Sequence, residues 1–174
     1  MSTKEQGHVF EFDTKAVGED GTFSGYASLF GVEDSGRDIV MPGAFTKSLR
    51  TRPAAKIKML RGHSADEPIG VWESIVEDAK GLKVKGRLIL GTVKGRETYE
   101  LLKAGALDGL SIGYRTIKEK MDRVKGVRLL EQVDLFEVSL VTWPMLPSAV
   151  VGRVKSTDFR SLIEAINRAE MALS

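Results

Sequence analysis

Hydrophobic and polar residues alternate through most of the chain, and this period of two is the pattern of half-buried β-strands. It is clearest in 82–90, where leucine and valine alternate with lysine and arginine. Glycine and acidic turns separate the alternating runs, and a loop is predicted at 64–68, before the run that starts at Ile69. The pattern therefore predicts strands at 9–12, 21–30, 55–60, 69–76, 82–90, 111–118 and 127–142. The prolines within 143–147 end the sheet, because they cannot donate to a strand ladder.

Three helices are predicted between and after these strands. Pro42 opens a short one over 43–50, and Thr92 caps a second that ends at Gly105, where glycine can take the left-handed C-terminal conformation. A third begins at Asp158 and carries an apolar stripe of Phe159, Leu162, Ile163, Ile166 and Ala169. Many short strands with few helices predict an α+β fold that is mainly antiparallel β. We expect a closed or nearly closed β-barrel with the helices packed outside it.

Length and composition fit one globular domain followed by a short tail. The 174 residues are 42% hydrophobic, which is enough for a proper core. We assign 1–152 to the β-barrel domain and 153–174 to a polar linker and the C-terminal amphipathic helix. The chain has no cysteine, which excludes disulfides, thiolate metal ligands and a cysteine nucleophile. Its net charge is +2 with both signs interspersed, and its first residues lack the apolar core of a signal peptide. We expect an intracellular protein that binds neither nucleic acid nor a membrane.

The most informative residue is Ser111, which lies between two glycines inside an alternating run. In a strand, Gly109, Ser111 and Gly113 share one face while the apolar residues between them anchor the other. A bare glycine face suits the approach of a peptide to a nucleophile, although flanking glycines also mark bulges or barrel corners. The run matches the G-x-S-x-G elbow of α/β-hydrolases, but that elbow needs a helix after its serine, and here a strand follows. Both histidines, His8 and His63, precede the serine, so the order is histidine then serine.

His63 and Glu137 are the candidate partners of that serine. His63 ends the run 55–63, shares a face with the apolar residues of that run, and opens a polar loop. Its competitor His8 lies near the start of the chain, where positioning is difficult. Glu137 interrupts a mostly apolar face of its strand, and a buried carboxylate needs a partner, either a histidine or a nearby arginine. Asp134 is the reserve candidate, although it projects to the opposite face.

Four blocks of sequence occur together and in order within about residues 8–152. They are GYASLF (25–30) continuing to DIVMPGAF (38–45), GH (62–63) continuing to PIG (68–70), LSIGY (110–114), and FEVSLVTWPMLP (136–147). In these blocks the chain resembles the prohead (procapsid) maturation proteases of tailed phages, serine peptidases related in fold to the herpesvirus assemblins. The resemblance implies a nucleophile at Ser111 and a general base at His63. Assemblins have a second histidine at the third position, where the phage motif offers Glu137.

The resemblance also implies a substrate and a place of action. Members of the family cleave the scaffolding portion of the capsid protein, or a separate scaffold, inside the immature shell, and then cleave themselves. We therefore expect a serine endopeptidase in the host cytoplasm, inside the assembling procapsid, with the major capsid protein or its scaffold segment and itself as substrates. No metal or cofactor is implied. Backbone amides near Gly113 or in the hairpin 118–127 are candidate donors to the oxyanion.

Several alternatives stay open at this point. The chain is either the peptidase or a non-catalytic β-barrel adaptor or scaffold component of capsid assembly. A lysine, Lys58 or Lys118, is an alternative base for the serine. The C-terminal helix is a candidate for forming a homodimer, for recruitment into the shell, or for packing back on the barrel. The polar linker before it is a candidate autocleavage site.

Overall fold

The computed structural model describes residues 17–152 as seven strands and two α-helices. The predicted strand at 9–12, His8, the polar linker and the C-terminal helix lie outside the described residues. A short 3₁₀ helix, Ala54–Lys56, follows the first α-helix. The helices are α1, Thr46–Thr51, and α2, Val93–Lys103. The strands are β1 Thr22–Leu29, β2 Asp38–Val40, β3 Lys58–Arg61, β4 Ser64–Glu77, β5 Gly81–Leu88, β6 Gly109–Asp122 and β7 Val127–Val141.

All seven strands belong to one curled, mostly antiparallel sheet that forms an open half-barrel. The order is β1-β5-β4-β3-β7, with β2 continuing beside the first part of β7 and β6 pairing along its other side. β2 and β3 run parallel to β7. The end strands β1 and β6 form no ladder with each other. Instead, Val150 makes a single bridge to Gly109 and Val151 a single bridge to Gly25. The mainly β fold with few helices is confirmed, whereas a closed barrel is not.

The core lies inside the curl of the sheet, where the period of two delivers one apolar side chain per pleat. Burying each of these side chains contributes about 1.5–3 kcal/mol. Phe23 and Trp72 meet edge to face, with ring centroids 5.6 Å apart. The largest fully buried side chains include Phe45, Met59, Ile69, Leu82, Leu102 and Leu135.

The helix α2 follows the sequence prediction closely. The Thr92 hydroxyl accepts the Gly95 amide at 3.0 Å, so it caps the helix as expected. Gly105 takes a φ of +70° directly after the helix, and the Ala106 amide bonds back to the Leu101 carbonyl. This is the C-terminal geometry for which glycine is preferred.

Three predicted boundaries differ clearly from the structure. The strand predicted at 55–60 begins only at Lys58, because Ala54–Lys56 is a 3₁₀ helix. The helix expected over 43–50 begins only at Thr46, because Gly43 has a φ of +88°, which a right-handed helix excludes. The segment 64–68 is not a loop but the first part of β4. Pro68 is tolerated there because the register with β3 shifts on both sides of its partner Leu60.

Neither α1 nor α2 is long and apolar enough to cross a membrane. α2 packs against β4 and β5, and α1 against β7 and β4, so both helices rest on the sheet.

Candidate active site

The strands β6 and β7 present Ser111 and Glu137 on one face of the sheet, and the neighbouring strand β3 leads into the turn that carries His63. Across β6 and β7, Ser111 lies opposite Ser139 and Gly113 lies opposite Glu137. On the other side of β7, β3 runs parallel and ends with Arg61 beside Leu140. Because adjacent strands are about 4.8 Å apart, a side chain that crosses β7 can reach from the end of β3 to β6.

His63 makes that crossing from a tight turn between β3 and β4. Gly62 and His63 have φ values of +60° and +62°, and Arg61 pairs with Ser64, which is the pattern of a two-residue type I′ hairpin. The Gly62 amide bonds to the Leu140 carbonyl at 2.9 Å, and the His63 amide bonds to the Ser139 hydroxyl at 3.2 Å. The expectation that His63 shares a strand face with the apolar residues of 55–63 is therefore wrong. The turn directs its ring back over β7 instead.

A chain of hydrogen bonds joins the three side chains predicted from the sequence. His63 Nε2 lies 2.9 Å from Ser111 Oγ, and His63 Nδ1 lies 2.5 Å from Glu137 Oε1. The residues are 48 and 74 positions apart in sequence, so only the fold brings them together. An ionised carboxylate at Nδ1 favours a proton there, which leaves Nε2 as an acceptor for the serine hydroxyl.

Burial differs among these three side chains in a way that matters for chemistry. Ser111 is 5% exposed and the Glu137 side chain 11%, whereas the His63 side chain is 42% exposed. The carboxylate is thus shielded from water and supplied with donors, which offsets the cost of burying it. The imidazole is partly open to solvent, so it can transfer a proton between the serine and a molecule that binds next to the ring.

The glycines beside Ser111 serve a purpose other than the one predicted. A Cβ at Gly113 would collide with the Glu137 carboxyl group, coming within 2.6 Å of its Cδ. A Cβ at Gly109 would lie 2.7 Å from Pro144 Cδ. The glycine face is therefore filled by Glu137 and Pro144 rather than left bare for a substrate. Gly113 is the residue that lets the carboxylate lie next to the histidine.

A β-bulge on β7 changes the face on which Glu137 was expected. Gly113 pairs with Glu137 but the next residue, Tyr114, pairs with Leu135, so Phe136 is the extra residue. Simple alternation along β7 predicts that Leu135 and Glu137 share a face. Because their partners Gly113 and Tyr114 point to opposite faces of β6, the two residues lie on opposite faces of β7.

The reserve carboxylate Asp134 is part of a different cluster. It binds Arg52 Nη1 at 2.7 Å and accepts the Ser48 hydroxyl at 3.4 Å. Arg115 lies 3.5 Å from its other oxygen. These contacts tie α1 to β7 away from Ser111, so Asp134 is not brought to the candidate site.

The lysine Lys118 and the hairpin around it lie far from Ser111. Lys118 is seven residues further along β6, more than about 20 Å away at about 3.3 Å per residue. Its Nζ pairs with Glu131 at 2.6 Å. Neither this lysine nor the amides of the hairpin can therefore contact a carbonyl held at Ser111. Lys58 pairs in register with Glu137, but the nitrogen within hydrogen-bond distance of Ser111 belongs to His63.

A small cavity of about 80 Å³ opens beside Ser111, between β6 and the loops 32–36 and 145–146. Val32, Asp34 and Met145 lie on its wall, together with Tyr114. Burial raises the pKa of the Tyr114 hydroxyl to about 12, with the charge and hydrogen bond of Asp38 adding to the effect. The cavity therefore keeps a neutral phenol on its wall at ordinary pH.

Sequence reasoning missed two polar groups near Ser111. Asp38 binds Arg128 through both carboxylate oxygens, at 2.8 and 2.6 Å, and receives the Tyr114 hydroxyl at 3.2 Å. Ser139 is fully buried and donates to Glu137 Oε2 at 2.7 Å. Alternation places Ser139 on the face of Glu137, but no motif marked it as functional. Within residues 17–152 there is no cluster of three histidine, cysteine or carboxylate side chains that could hold a metal ion.

Comparison with known proteins identifies the family. Residues 10–162 match the family described as caudovirus prohead serine protease. The chain belongs to that family. It is 34% identical over 143 residues to the prohead protease of Enterobacteria phage HK97, covering 81% of this chain and 63% of that protein. It is 24% identical over 150 residues to the prohead protease of Escherichia phage T5, covering 82% and 70% of the two chains.

A third relative and two solved structures complete the comparison. The capsid polyprotein of Pseudomonas phage PAJU2 is 35% identical over 109 residues, which cover 59% of this chain and 16% of the polyprotein. The bacteriophage T4 capsid assembly protease superposes with a TM-score of 0.56 at 15% identity, over 70% of this chain and 81% of that one. The KSHV protease, solved with a hexapeptide phosphonate inhibitor, superposes with a TM-score of 0.53 at 12% identity, over 84% and 76%. These two likenesses show a shared fold.

Proposed function

We propose that this protein is a serine endopeptidase that cleaves the scaffolding portion of a phage capsid protein during procapsid maturation. Ser111 is the nucleophile, His63 the general base and Glu137 the residue that orients the histidine. The observation that carries the proposal is the continuous chain from Glu137 Oε1 through both ring nitrogens of His63 to Ser111 Oγ, with links of 2.5 and 2.9 Å. The 2.9 Å between His63 Nε2 and Ser111 Oγ is a distance at which a base can accept the proton of a nucleophile.

The chemistry follows from the tautomer of His63 that a carboxylate beside Nδ1 favours, with the proton on Nδ1 and Nε2 free to accept. Ser111 Oγ attacks the carbonyl carbon of a peptide bond while His63 Nε2 accepts the hydroxyl proton. The resulting imidazolium gives that proton to the leaving amine as the carbon–nitrogen bond breaks, and an acyl-enzyme remains on Ser111. A water molecule then loses a proton to Nε2, attacks the ester carbon and releases the carboxylic product with the serine restored.

Glu137 contributes by holding the ring and by stabilising its charged form. The carboxylate accepts a hydrogen bond from Nδ1–H, so the imidazole keeps the tautomer in which Nε2 can act as a base. When the imidazolium forms, its positive charge lies 2.5 Å from a largely buried negative charge. The His63 side chain is 42% exposed, which leaves room for the leaving amine and the hydrolytic water.

Two observations support a polypeptide substrate that belongs to the capsid protein. The cavity beside Ser111 has the size to hold part of one side chain next to the bond that is cut. The PAJU2 relative is named a capsid polyprotein, so a sequence similar to this chain occurs in the same polypeptide as a capsid protein in that phage. We accordingly assign the capsid protein or its scaffold segment as the substrate, the chain itself as a second one, and the procapsid in the host cytoplasm as the place of action.

The test is co-expression of the protein with its cognate capsid protein, followed by the intact masses of both chains. We expect the wild type to shorten the capsid protein at one site and to shorten itself, and Ser111→Ala to leave both intact. A serine-reactive fluorophosphonate should label the purified wild type once, at Ser111. A folded wild-type protein that neither takes the label nor shortens the capsid protein would be an adaptor, and the proposal would be lost.

A further inference from the structure

We infer that Ser139 is a positioning residue of the same site: its hydroxyl fixes the backbone of His63 and the carboxylate of Glu137 relative to each other. This inference rests on the proposed function, because the position of the imidazole matters only if His63 acts on Ser111. It adds a fourth, fully buried residue that is hydrogen-bonded to two of the other three. None of the four sequence blocks assigns a role to Ser139.

The geometry around Ser139 forms a closed ring of hydrogen bonds. Its Oγ accepts the amide proton of His63 at 3.2 Å and donates to Glu137 Oε2 at 2.7 Å. The other carboxylate oxygen of Glu137 lies 2.5 Å from His63 Nδ1. The histidine is therefore held twice, by its main chain through Ser139 and by its ring through Glu137. Neither end can shift without stretching a bond to the other.

The backbone conformation of His63 explains why such a restraint is useful. Its φ of +62° lies in the left-handed region, which residues with a Cβ adopt uncommonly. The two-residue turn demands this φ, and the hydrogen bond to Ser139 anchors the amide in that conformation. Without the hydroxyl, the amide would lose its partner in a place where Ser139 is fully buried.

The carboxylate of Glu137 has a second reason to need Ser139. Glu137 is only 9% exposed, and an ionised carboxylate in such a place is stabilised by each donor it receives. The Ser139 hydroxyl supplies the donor to Oε2, which leaves Oε1 free to face the imidazole. Ser139 pairs in register with Ser111, but both of its described side-chain hydrogen bonds go to His63 and Glu137. It therefore acts through those residues and not on the reacting atoms.

Ser48 is a matched control, because its hydroxyl makes the same two kinds of hydrogen bond as Ser139 but lies away from the candidate site. Ser48 Oγ accepts the Leu135 amide at 2.9 Å and donates to the Asp134 carboxylate at 3.4 Å. Ser48 is 5% exposed and is bound to the same strand, β7. A loss that depends only on removing a buried hydroxyl should therefore appear in Ser48→Ala as well as in Ser139→Ala.

The experiment compares Ser139→Ala and Ser48→Ala in the full chain, with thermal unfolding as the measure of folding. We expect Ser139→Ala to react with the fluorophosphonate ten- to a hundredfold more slowly and to lose kcat by a similar factor, with KM unchanged within twofold. Ser48→Ala should lose thermal stability but keep both rates within twofold. The inference is overturned if Ser139→Ala keeps the wild-type rates or loses no more than Ser48→Ala. Should Ser139→Ala fail to fold, Ser139→Cys, which keeps the volume with a weaker donor, is judged by the same criteria.

A spectroscopic readout separates this inference from the proposed function. The chain has two histidines, so the Nδ1 proton signal of His63 in a ¹⁵N-labelled sample is assigned by comparison with His8→Ala. We expect this signal, shifted downfield by the carboxylate, to move or to broaden through exchange with water in Ser139→Ala and to stay in place in Ser48→Ala. An unchanged signal in folded Ser139→Ala overturns the inference even if the protein is an active peptidase. The signal could also change in Ser139→Ala although the wild-type protein cleaves no substrate. That result would count against the proposed function but would support the positioning role of Ser139.

Discussion

Gly113 lies directly opposite Glu137 across β6 and β7, and the carboxyl group occupies the space that a side chain at position 113 would need. This relationship explains why position 113 is a glycine, which the surrounding sequence alone did not show. The carboxylate can lie flat against β6 and still reach the imidazole, because no Cβ stands between them. The arrangement of the candidate site therefore depends on a residue that takes no part in its chemistry.

Gly113→Ala should displace Glu137 and uncouple it from His63. We expect a loss of about tenfold to a hundredfold in kcat, together with about 1–3 kcal/mol of stability from overpacking. Peptide cleavage and urea unfolding measure the two effects. The matched control is Gly91→Ala, since a Cβ there meets nothing within 4 Å. Full activity in folded Gly113→Ala would show that Glu137 need not lie where the structure has it.

Glu137→Gln should remove the negative charge that fixes the tautomer of His63 and balances its protonated form. We expect kcat to fall by about 10²- to 10⁴-fold with little change in fold. Glu131→Gln is the control, because it removes a carboxylate of the same strand whose partner is the exposed Lys118. Steady-state kinetics on a capsid-derived peptide measure the difference. Equal activities of the two variants would count against the orienting role.

His63→Ala distinguishes the histidine base from a lysine base. The imidazole is the group within hydrogen-bond distance of Ser111 Oγ, so its removal should reduce fluorophosphonate labelling by about 10²-fold or more. Lys58→Ala should leave the labelling rate within about twofold of the wild-type rate, because surface substitutions away from a functional site have small effects. The opposite result, with His63→Ala active and Lys58→Ala inactive, would establish lysine as the base.

Val32→Trp tests the cavity beside Ser111 as the site of a substrate side chain. Val32 is 41% exposed on the wall of the cavity, so an indole there should narrow the entrance. We expect KM for a peptide to rise severalfold while the small fluorophosphonate still labels Ser111 at nearly the wild-type rate. Val76→Trp, at a similarly exposed valine of β4, should change neither value. Unaltered peptide kinetics in Val32→Trp would exclude this cavity from substrate binding.

The hydrogen bond from the Tyr26 hydroxyl to Asp78, 2.5 Å long, predicts how stability changes with pH. Burial opposes ionisation of Asp78, but hydrogen bonds from Tyr26 and from the amides of Lys80 and Gly81 lower the pKa of this carboxyl. Burial, with the hydrogen bond and charge of Asp78 adding to it, raises the pKa of Tyr26 to about 12. The two shifts have opposite signs and therefore act at opposite ends of the pH range.

The contribution of Asp78 to the free energy of unfolding is present above its unfolded pKa of about 3.9 and is lost as pH falls through the lower folded value. That of Tyr26 is complete below its unfolded pKa of about 10 and is lost as pH rises towards the folded value. Tyr26→Phe should therefore flatten the stability curve at both ends. Urea unfolding over a pH series measures this, and a curve parallel to that of the wild type would contradict it.

Much of the fold could be predicted from local pattern. The period of two locates most strands, and the helix from Thr92 to Gly105 was expected with its caps because capping depends on neighbouring residues alone. Errors arose where a distant segment decides the outcome. Pro68 suggested a loop, yet it lies in β4 because the register with β3 shifts around it. The bulge at Phe136 likewise exists only in the pairing of β7 with β6.

The three candidate residues and their order along the chain were determined by the amino-acid sequence alone, because residue type, scarcity of histidine and family motifs are properties of the chain itself. The tertiary structure alone decided their distances, the turn that aims His63 across β7, the space that Gly113 leaves for Glu137, and the hydrogen bonds of the Ser139 hydroxyl to two of them. The physical reason is that hydrogen bonds form between groups that are close in space. Here the bonded atoms belong to residues 48 to 76 positions apart, and only the pairing of three strands brings them within 3.2 Å of each other.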